Sequence, residues 1–287
     1  MEIIGSQKIW SFGEDGESIS LSSSAIRKGR GPLVASYMEL ATRVAELQFR
    51  NRDVVLMFRG QRGDHPNRLG YSSLKPSLLR GDAPKRLPSD AALDRRFATL
   101  VEAEKALVTA YEAEGLLGRE RLKRQRIIRW AILQHYEICP TPLLDVTQSL
   151  RIAASFASHG ASLDEEEAFL FVLGIPNVSG AITASAEAGL QVLRLASVCP
   201  PSAARPHLQE GYLLGEYPDC ASAEQKMLYE HAEMDFGRRL IAKFRFLPAS
   251  FWRASPQFPL VAEEALYPRD DAMLALAARV KAAIAAG

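Results

Sequence analysis

Three polar positions stand at the edges of apolar segments that we expect to be buried. Arg59 directly follows the apolar run 54–58, and Asp145 directly follows Pro-Leu-Leu. Gln209 and Glu210 interrupt a third apolar segment. An arginine is charged at all ordinary pH values, so when buried it must meet a carboxylate, a phosphate or several carbonyl groups. Arg59 could therefore hold an anionic ligand, or it could form a purely structural ion pair with Asp145.

The elements that carry these residues decide which side chains share a face. Residues i and i+2 of a strand point the same way, so we expect Asp145 and Thr147 to face one cleft together. One of Thr147 and Ser149 is expected to be no more than the N-cap of the helix that starts near Ser149. Gln209 and Glu210 would point to opposite faces of a strand, so only one of them could enter a cleft with Arg59.

Helical and strand patterns along the chain indicate a single α+β domain. Apolar spacing predicts a helix over 33–50, and the region 89–136 is predicted to be a largely helical insertion. Helices come early and strands late, which favours an α+β fold with a mixed or antiparallel sheet core. We expect residues 1–32 to form an N-terminal strand and loop segment and residues 33–287 to form the domain itself.

The later apolar segments are predicted to be strands. Expected strand positions are 54–58, 165–175, 189–195, 207–215 and 238–248. In the N-terminal segment, the alternating stretches KIWSF and SISLS predict a short strand or a hairpin, and 24–32 is predicted to be a loop. The segment 150–158 is predicted to be a short helix whose small residues permit close packing.

The composition and the absence of common motifs argue against several protein classes. With 35 basic and 34 acidic residues, the net charge of +1 argues neither for nor against nucleic acid binding. The three cysteines are widely spaced, which fits a reducing compartment. The histidines are too scattered to predict a metal site. The N-terminal residues do not resemble a signal peptide and no apolar run could span a bilayer, so we expect a cytoplasmic protein with no membrane partner.

Five motifs in this chain, taken in order, carry a resemblance to a known family. They are FRGQ at 58–61, LKPSLLRG at 74–81, QHYEICPTPLLDVTQSLRIAASFAS at 134–158, RPHLQEGYLL at 205–214 and LYP at 266–268. Together they resemble the FRG domain family, named for its Phe-Arg-Gly triplet, from about residue 33 to the C-terminus. The chain departs from the family at Glu137-Ile138-Cys139, where a glycine is usual, and at Pro142, where an arginine is common.

This resemblance implies a function by analogy. FRG proteins occur widely in bacteria and phages, and some lie in genetic settings that suggest phage defence or toxin-like roles. The order of their motifs is similar to that of ADP-ribosyltransferase-like folds. The analogy implies an NAD-dependent ADP-ribosyltransferase or an NAD glycohydrolase that acts as a bacterial effector or toxin. The catalytic residues it implies are Arg59, Asp145, Thr147, Gln209 and Glu210.

The same analogy makes NAD the substrate, with no metal ion required. The NAD-binding residues it implies are Arg59, Gln61, His135, Tyr136 and Thr147. Arg59 would hold a phosphate or ribose oxygen, and Tyr136 would stack on the nicotinamide ring. Asp145 or Glu210 would stabilise the oxocarbenium-like state that forms as nicotinamide leaves.

Two other interpretations remain open from the sequence. The cleft between Arg59 and Asp145 could belong to a non-catalytic module that binds a nucleotide, a nucleic acid or a protein. Alternatively, the site could be completed or silenced by an activating or neutralising protein partner. For a transferase, the acceptor could be an RNA or a protein.

Overall fold

An N-terminal hairpin and a seven-stranded antiparallel sheet organise the computed structural model, which describes residues 8–160, 166–177, 179–229 and 234–286. The hairpin consists of β1 (Ile9–Phe12) and β2 (Ser18–Leu21). The strands of the sheet are β3 (Val55–Gln61), β4 (Leu144–Thr147), β5 (Ala168–Ile175), β6 (Ile182–Ser185), β7 (Leu190–Arg194), β8 (Gly211–Glu216) and β9 (Leu240–Phe246). Across the sheet their order is β6-β7-β8-β4-β3-β5-β9.

Helices surround this sheet. In chain order they are α1 (Ser23–Lys28), α2 (Tyr37–Arg50), α3 (Asp90–Ala113), α4 (Arg119–Arg124), α5 (Arg126–His135), α6 (Leu150–Ser158), α7 (Leu195–Val198), α8 (Arg205–Leu208), α9 (Ala223–Met227), α10 (Pro248–Arg253), α11 (Glu263–Leu266) and α12 (Met273–Ala286). Ser36 and Ser89 cap α2 and α3 by accepting hydrogen bonds from backbone amides of the first turn. None of the helices in the described ranges is long and apolar enough to cross a bilayer.

Apolar side chains are buried on both faces of the sheet. In β8, Tyr212 and Leu214 belong to the core cluster that includes residues of α2, α6 and α10. Leu213 points the other way, into the cluster formed with α3, α5 and α12. A strand covered on both faces has no polar alternation, which explains the apolar run Tyr212-Leu213-Leu214 in β8.

The predicted architecture is confirmed in its main features. The fold is α+β, its sheet is antiparallel, and α3, α4 and α5 form the helical insertion expected over 89–136. The N-terminal hairpin is also present, and its Ile9 and Phe12 join the core cluster on one face of the sheet. The division of the chain into 1–32 and 33–287 stays a prediction.

Two local predictions are wrong. The segment 24–32, predicted to be a loop, contains most of α1, which Ser22 caps and whose Ile26 is buried. The segment 207–215, predicted to be one strand, becomes strand only at Gly211. Its first part belongs to α8, where Pro206 near the helix start has the fixed φ that suits a first turn.

Candidate functional site

The site lies where β3 and β4, two neighbouring strands near the middle of the sheet, separate from each other. Every residue of β3 pairs with β5, whereas a single residue pair, Phe58 opposite Thr147, joins β3 to β4. A cleft of about 960 Å³ opens at this point, and both strands contribute to its lining. A cleft of this volume is large enough for a nucleotide-sized ligand.

Gly60 allows β3 to pack closely against α6 beside this cleft. A Cβ atom on Gly60 would overlap the carbonyl oxygen of Ala153 and would lie 2.9 Å from the amide nitrogen of Ala157. The small residues of α6 therefore let the helix backbone touch β3, and only glycine fits between them. This contact fixes the direction in which β3 carries Arg59 towards the cleft.

Arg59 bridges the gap between β3 and β4 with its side chain. Its Nη1 donates a hydrogen bond of 2.6 Å to the backbone carbonyl of Asp145. Burial lowers the pKa of Arg59 to about 10, an effect that the charge of Asp145 partly offsets. The guanidinium therefore stays protonated at neutral pH. The structural ion pair that the sequence left open is not formed, because Arg59 contacts the main chain of Asp145 rather than its carboxylate.

The carboxylate of Asp145 turns instead towards α5. Its Oδ2 accepts a hydrogen bond of 2.7 Å from Gln134, and its Oδ1 lies 3.8 Å from Nδ1 of His135. Burial alone would raise the pKa of Asp145, but the neighbouring His135, Arg59 and Gln134 outweigh it and hold the pKa below its usual value. Asp145 is therefore ionised, and its side chain remains 40% exposed to the cleft.

His135 stands beside this carboxylate as a buried, uncharged ring. Burial lowers its pKa, and the opposing attraction of Asp145 is not strong enough to restore it. The ring is only 3% exposed, and it packs beside Gly211 of β8. His135 and Asp145 thus form a neutral base and an anion in contact at one end of the cleft.

Thr147 and Gln209 line the cleft, but their polar groups are already engaged. The Thr147 hydroxyl donates to the carbonyl of Glu210 and accepts from the amide of Ser149. The side-chain amide of Gln209 donates to the carbonyl of Leu266 at 2.8 Å. Both side chains therefore hold the walls of the cleft together.

Two predicted site residues do not line the cleft. Tyr136 is buried in the core under the insertion, where its hydroxyl donates to Asp271 at 2.9 Å. It therefore presents no ring on which nicotinamide could stack. Glu210 lies in the turn before β8 with a φ of +45°, and its side chain is not part of the lining. The prediction that Gln209 and Glu210 alternate along a strand is wrong, because this turn precedes the strand.

Gln61 lines the cleft as predicted, together with residues that the sequence did not single out. Among these are Arg80, Arg205 and Tyr267. Arg205 stacks on the Tyr267 ring, with 4.5 Å from the guanidinium carbon to the ring centre. Their segments were visible in the motifs at 74–81, 205–214 and 266–268, but nothing in those residue types indicated that they face Arg59.

Several polar atoms along this cleft are buried without partners. In the described part of the chain, no hydrogen bond reaches Arg59 Nε, Gln61 Oε1, His135 Nε2 or Arg205 Nε. Buried polar groups in folded proteins are nearly always paired, because an unpaired one costs about 1–3 kcal/mol. Their concentration in one cleft is the pattern expected where a polar ligand binds.

A metal centre is not apparent within the described ranges, where no group of three or more His, Cys, Asp or Glu side chains could hold an ion. The charged side chains that line the cleft in the described part of the chain carry both signs. They are the cations Arg59, Arg62, Arg80 and Arg205 and the anions Asp145, Glu137 and Glu166. The cationic groups could hold an anionic part of a ligand beside the carboxylates.

Comparison with known protein families covers one part of this cleft. The model of the FRG domain family matches residues 55–166, which begin with β3 and include Arg59, His135, Asp145 and Thr147. The match agrees with the FRG-like motifs of this segment, and it is shorter than the resemblance predicted from about residue 33 to the C-terminus. No curated protein matches the chain, and neither does any solved structure. Arg205, Gln209 and Tyr267 lie beyond the matched range, yet they form one wall of the same cleft.

Proposed function

We propose that the cleft binds NAD and cleaves the bond between nicotinamide and ribose, as an NAD glycohydrolase or an ADP-ribosyltransferase. The observation that carries the proposal is the Asp145 carboxylate. It is ionised, it is partly exposed in a cleft lined by arginines, and its position is held by Gln134. A fixed anion of this kind stabilises the positive charge that develops on a ribose as its base departs.

The arginines supply the complementary half of the site. Arg59 uses its Nη1 to donate a hydrogen bond to the carbonyl of Asp145, and its Nε has no partner in the described part of the chain. A guanidinium offers five donors in a planar fork, which suits a phosphate oxygen. With Arg80 also in the lining, the pyrophosphate of NAD would lie at this end of the cleft.

In the reaction we propose, the bond from C1′ of the ribose to N1 of nicotinamide breaks. Its electron pair goes to N1, so nicotinamide leaves as a neutral molecule, and the positive charge moves to the oxocarbenium ion beside Asp145. Water, or a nucleophile on an acceptor RNA or protein, then bonds to C1′ and releases its proton to solvent. The products are nicotinamide and either ADP-ribose or an ADP-ribosylated acceptor.

The proposal is tested by incubating the purified protein with NAD and measuring free nicotinamide. Asp145→Asn keeps the side-chain shape and removes the charge, so we expect roughly a 100-fold loss of turnover with an unchanged thermal unfolding temperature. Glu166→Gln is the matched control, because it removes the same charge from an exposed side chain of the same cleft. Equal turnover in wild type and Asp145→Asn would reject a role for this carboxylate.

A non-catalytic binding module is the second candidate. It is favoured by the engagement of the Thr147 hydroxyl and the Gln209 amide with protein groups, because neither then contacts a reacting ligand. A wild-type protein that binds NAD and releases no nicotinamide, with or without RNA and protein acceptors, would support this candidate instead.

The biological role that fits an NAD-consuming enzyme is that of a bacterial effector or toxin, with phage defence as one setting. A cytoplasmic location and a neutralising or activating protein partner belong to this proposal. Inducible expression in bacteria tests it: wild type should lower cellular NAD and arrest growth, and Asp145→Asn should do neither. Growth arrest by wild type and by Asp145→Asn alike would show that the toxicity does not come from NAD cleavage.

A further inference from the structure

Arg205 is an unusual cation for a protein interior. It is 8% exposed, and its Nε has no partner in the described part of the chain. Its backbone amide donates to Asp271 at 2.8 Å, and its guanidinium lies against the ring of Tyr267. These contacts hold the side chain at the cleft wall, but they do not neutralise it. A buried guanidinium needs an anion, and here that anion is Glu137.

Glu137 is a poor permanent partner for this arginine. Its Oε1 accepts from Arg205 Nη2 at 2.8 Å, yet the Glu137 side chain is 67% exposed. An ion pair with one solvated, flexible member is weak, since water and salt screen it. The carboxylate can therefore leave Arg205 at little cost when a better anion arrives.

The backbone at Glu137 supports this interpretation. α5 ends in a Schellman motif, in which the amide of Ile138 donates to the carbonyl of Leu133 and the amide of Glu137 donates to that of Gln134. The residue at this position takes left-handed dihedral angles, and Glu137 has a φ of +52°. Glycine is the residue that this turn favours. A glutamate tolerated there in spite of the strain points to a use for its side chain.

We propose that Arg205 is a second anion-binding site of the cleft, for a phosphate or pyrophosphate group, and that Glu137 occupies it until such a ligand displaces it. The buried, unpartnered Nε2 of His135 lies in the same lining and is a second donor or acceptor for that ligand. The inference deepens the proposed function, because it rests on the same cleft taking a nucleotide that carries phosphate groups. Glu137 would then set how tightly phosphate-bearing ligands bind.

Binding of inorganic pyrophosphate, measured by isothermal titration calorimetry, tests this site without any cleavage reaction. Glu137→Gln keeps the length of the side chain and removes its charge, so we expect binding about fivefold tighter than in wild type. Glu102→Gln removes an equal charge from an exposed ion pair with Lys105 on α3, outside the cleft, and it should change the affinity by less than about twofold. Arg205→Gln, added to Glu137→Gln, should abolish the gain.

Each outcome decides for or against the proposal. A gain specific to Glu137→Gln that requires Arg205 supports it. An unchanged affinity, an equal gain in Glu102→Gln, or a gain that survives Arg205→Gln overturns it. Thermal unfolding of each variant confirms that it is folded before titration. Pyrophosphate has no glycosidic bond, so absence of NAD cleavage would leave this result intact, and failure of this result would leave NAD cleavage untouched.

Discussion

Arg59 donates a 2.6 Å hydrogen bond to the main-chain carbonyl of Asp145, while the carboxylate of Asp145 turns away towards Gln134 and His135. The side chain of Arg59 thus joins β3 to β4 beside the one residue pair that links these strands. This arrangement leaves the carboxylate free to act in the cleft. The arginine therefore has a structural contact on one side and unpartnered donors on the other.

Replacing Arg59 should weaken both the fold and ligand binding. Arg59→Ala removes the donor that bonds to the Asp145 carbonyl where β3 and β4 separate. We therefore expect the free energy of unfolding to fall by about 1–3 kcal/mol in urea titrations. Binding of NAD should be lost in the same variant. Arg62→Ala is the control, since Arg62 lines the same cleft but makes an exposed hydrogen bond to Gly160, and it should cost no more than about 0.5 kcal/mol. Equal stability of the two variants would contradict the bridging role.

Gly60→Ala should be far more disruptive than its small size suggests. The added methyl group would overlap the carbonyl of Ala153, so β3 and α6 must separate, at a cost of about 3 kcal/mol or more. Gly63→Ala is the matched substitution, because the nearest atom to a new Cβ there is 4.0 Å away. Thermal unfolding should show a large fall for the first variant and almost none for the second. Similar unfolding temperatures would mean that the contact between β3 and α6 is not tight.

The free energy of unfolding should depend on pH because His135 titrates differently in the folded and unfolded chain. Its pKa in the folded protein is lower than the value of 6.5 for an unperturbed histidine, so the unfolded chain binds a proton more readily. The contribution of His135 is therefore complete above about pH 6.5 and is lost as the pH falls from there towards the folded pKa. His135→Gln should flatten this part of the curve of unfolding free energy against pH.

The neighbouring carboxylate provides an internal check on this pH dependence. Asp145 raises the pKa of His135 against the effect of burial, so Asp145→Asn should lower that pKa further and extend the loss of stability to lower pH. Histidine ring signals in an NMR titration measure the shift directly. A His135 pKa that rises in Asp145→Asn would show that the two side chains are not in contact.

Glu137→Gly should stabilise the protein even though it removes an ion pair. The left-handed backbone costs a non-glycine residue about 1 kcal/mol, which glycine avoids. The pair with Arg205 contributes little, because its Glu137 side is 67% exposed and screened by solvent. Lys85→Gly is the control, since Lys85 also has a positive φ, of 61°, and does not line the cleft. Both variants should unfold at a higher temperature, but only Glu137→Gly should change the affinity for pyrophosphate. A fall in the unfolding temperature of Glu137→Gly would mean that the ion pair with Arg205 stabilises the fold by more than the left-handed backbone destabilises it.

Much of the fold follows from local patterns in the chain. The segments that became β3, β5 and β9 were visible because each carries apolar residues typical of a strand buried on both faces, although Lys243 and Arg245 interrupt β9. The segment around Gln209 was misassigned because Pro206 and a left-handed Glu210 shape a short helix and a turn before β8. Apolar periodicity carries no information about such backbone angles.

The candidate site was predictable only in part. Arg59 and Asp145 could be placed in one cleft because an arginine and an aspartate at the ends of apolar segments must each find a partner. Tyr136 was misassigned because the direction of a side chain at a helix end depends on the core beneath it, where Asp271 accepts its hydroxyl. That acceptor comes from the far end of the chain.

The sequence by itself determined the residue types, the domain family and the elements, because propensity and apolar spacing act over a few neighbouring residues. Only the tertiary structure decided that β3 and β4 part beyond Phe58, that Arg59 meets a carbonyl and that Glu137 meets Arg205. Arg205 and Tyr267 reach the cleft from segments more than a hundred residues beyond Arg59. Such contacts are set by how the whole sheet and its helices pack, which no local pattern encodes.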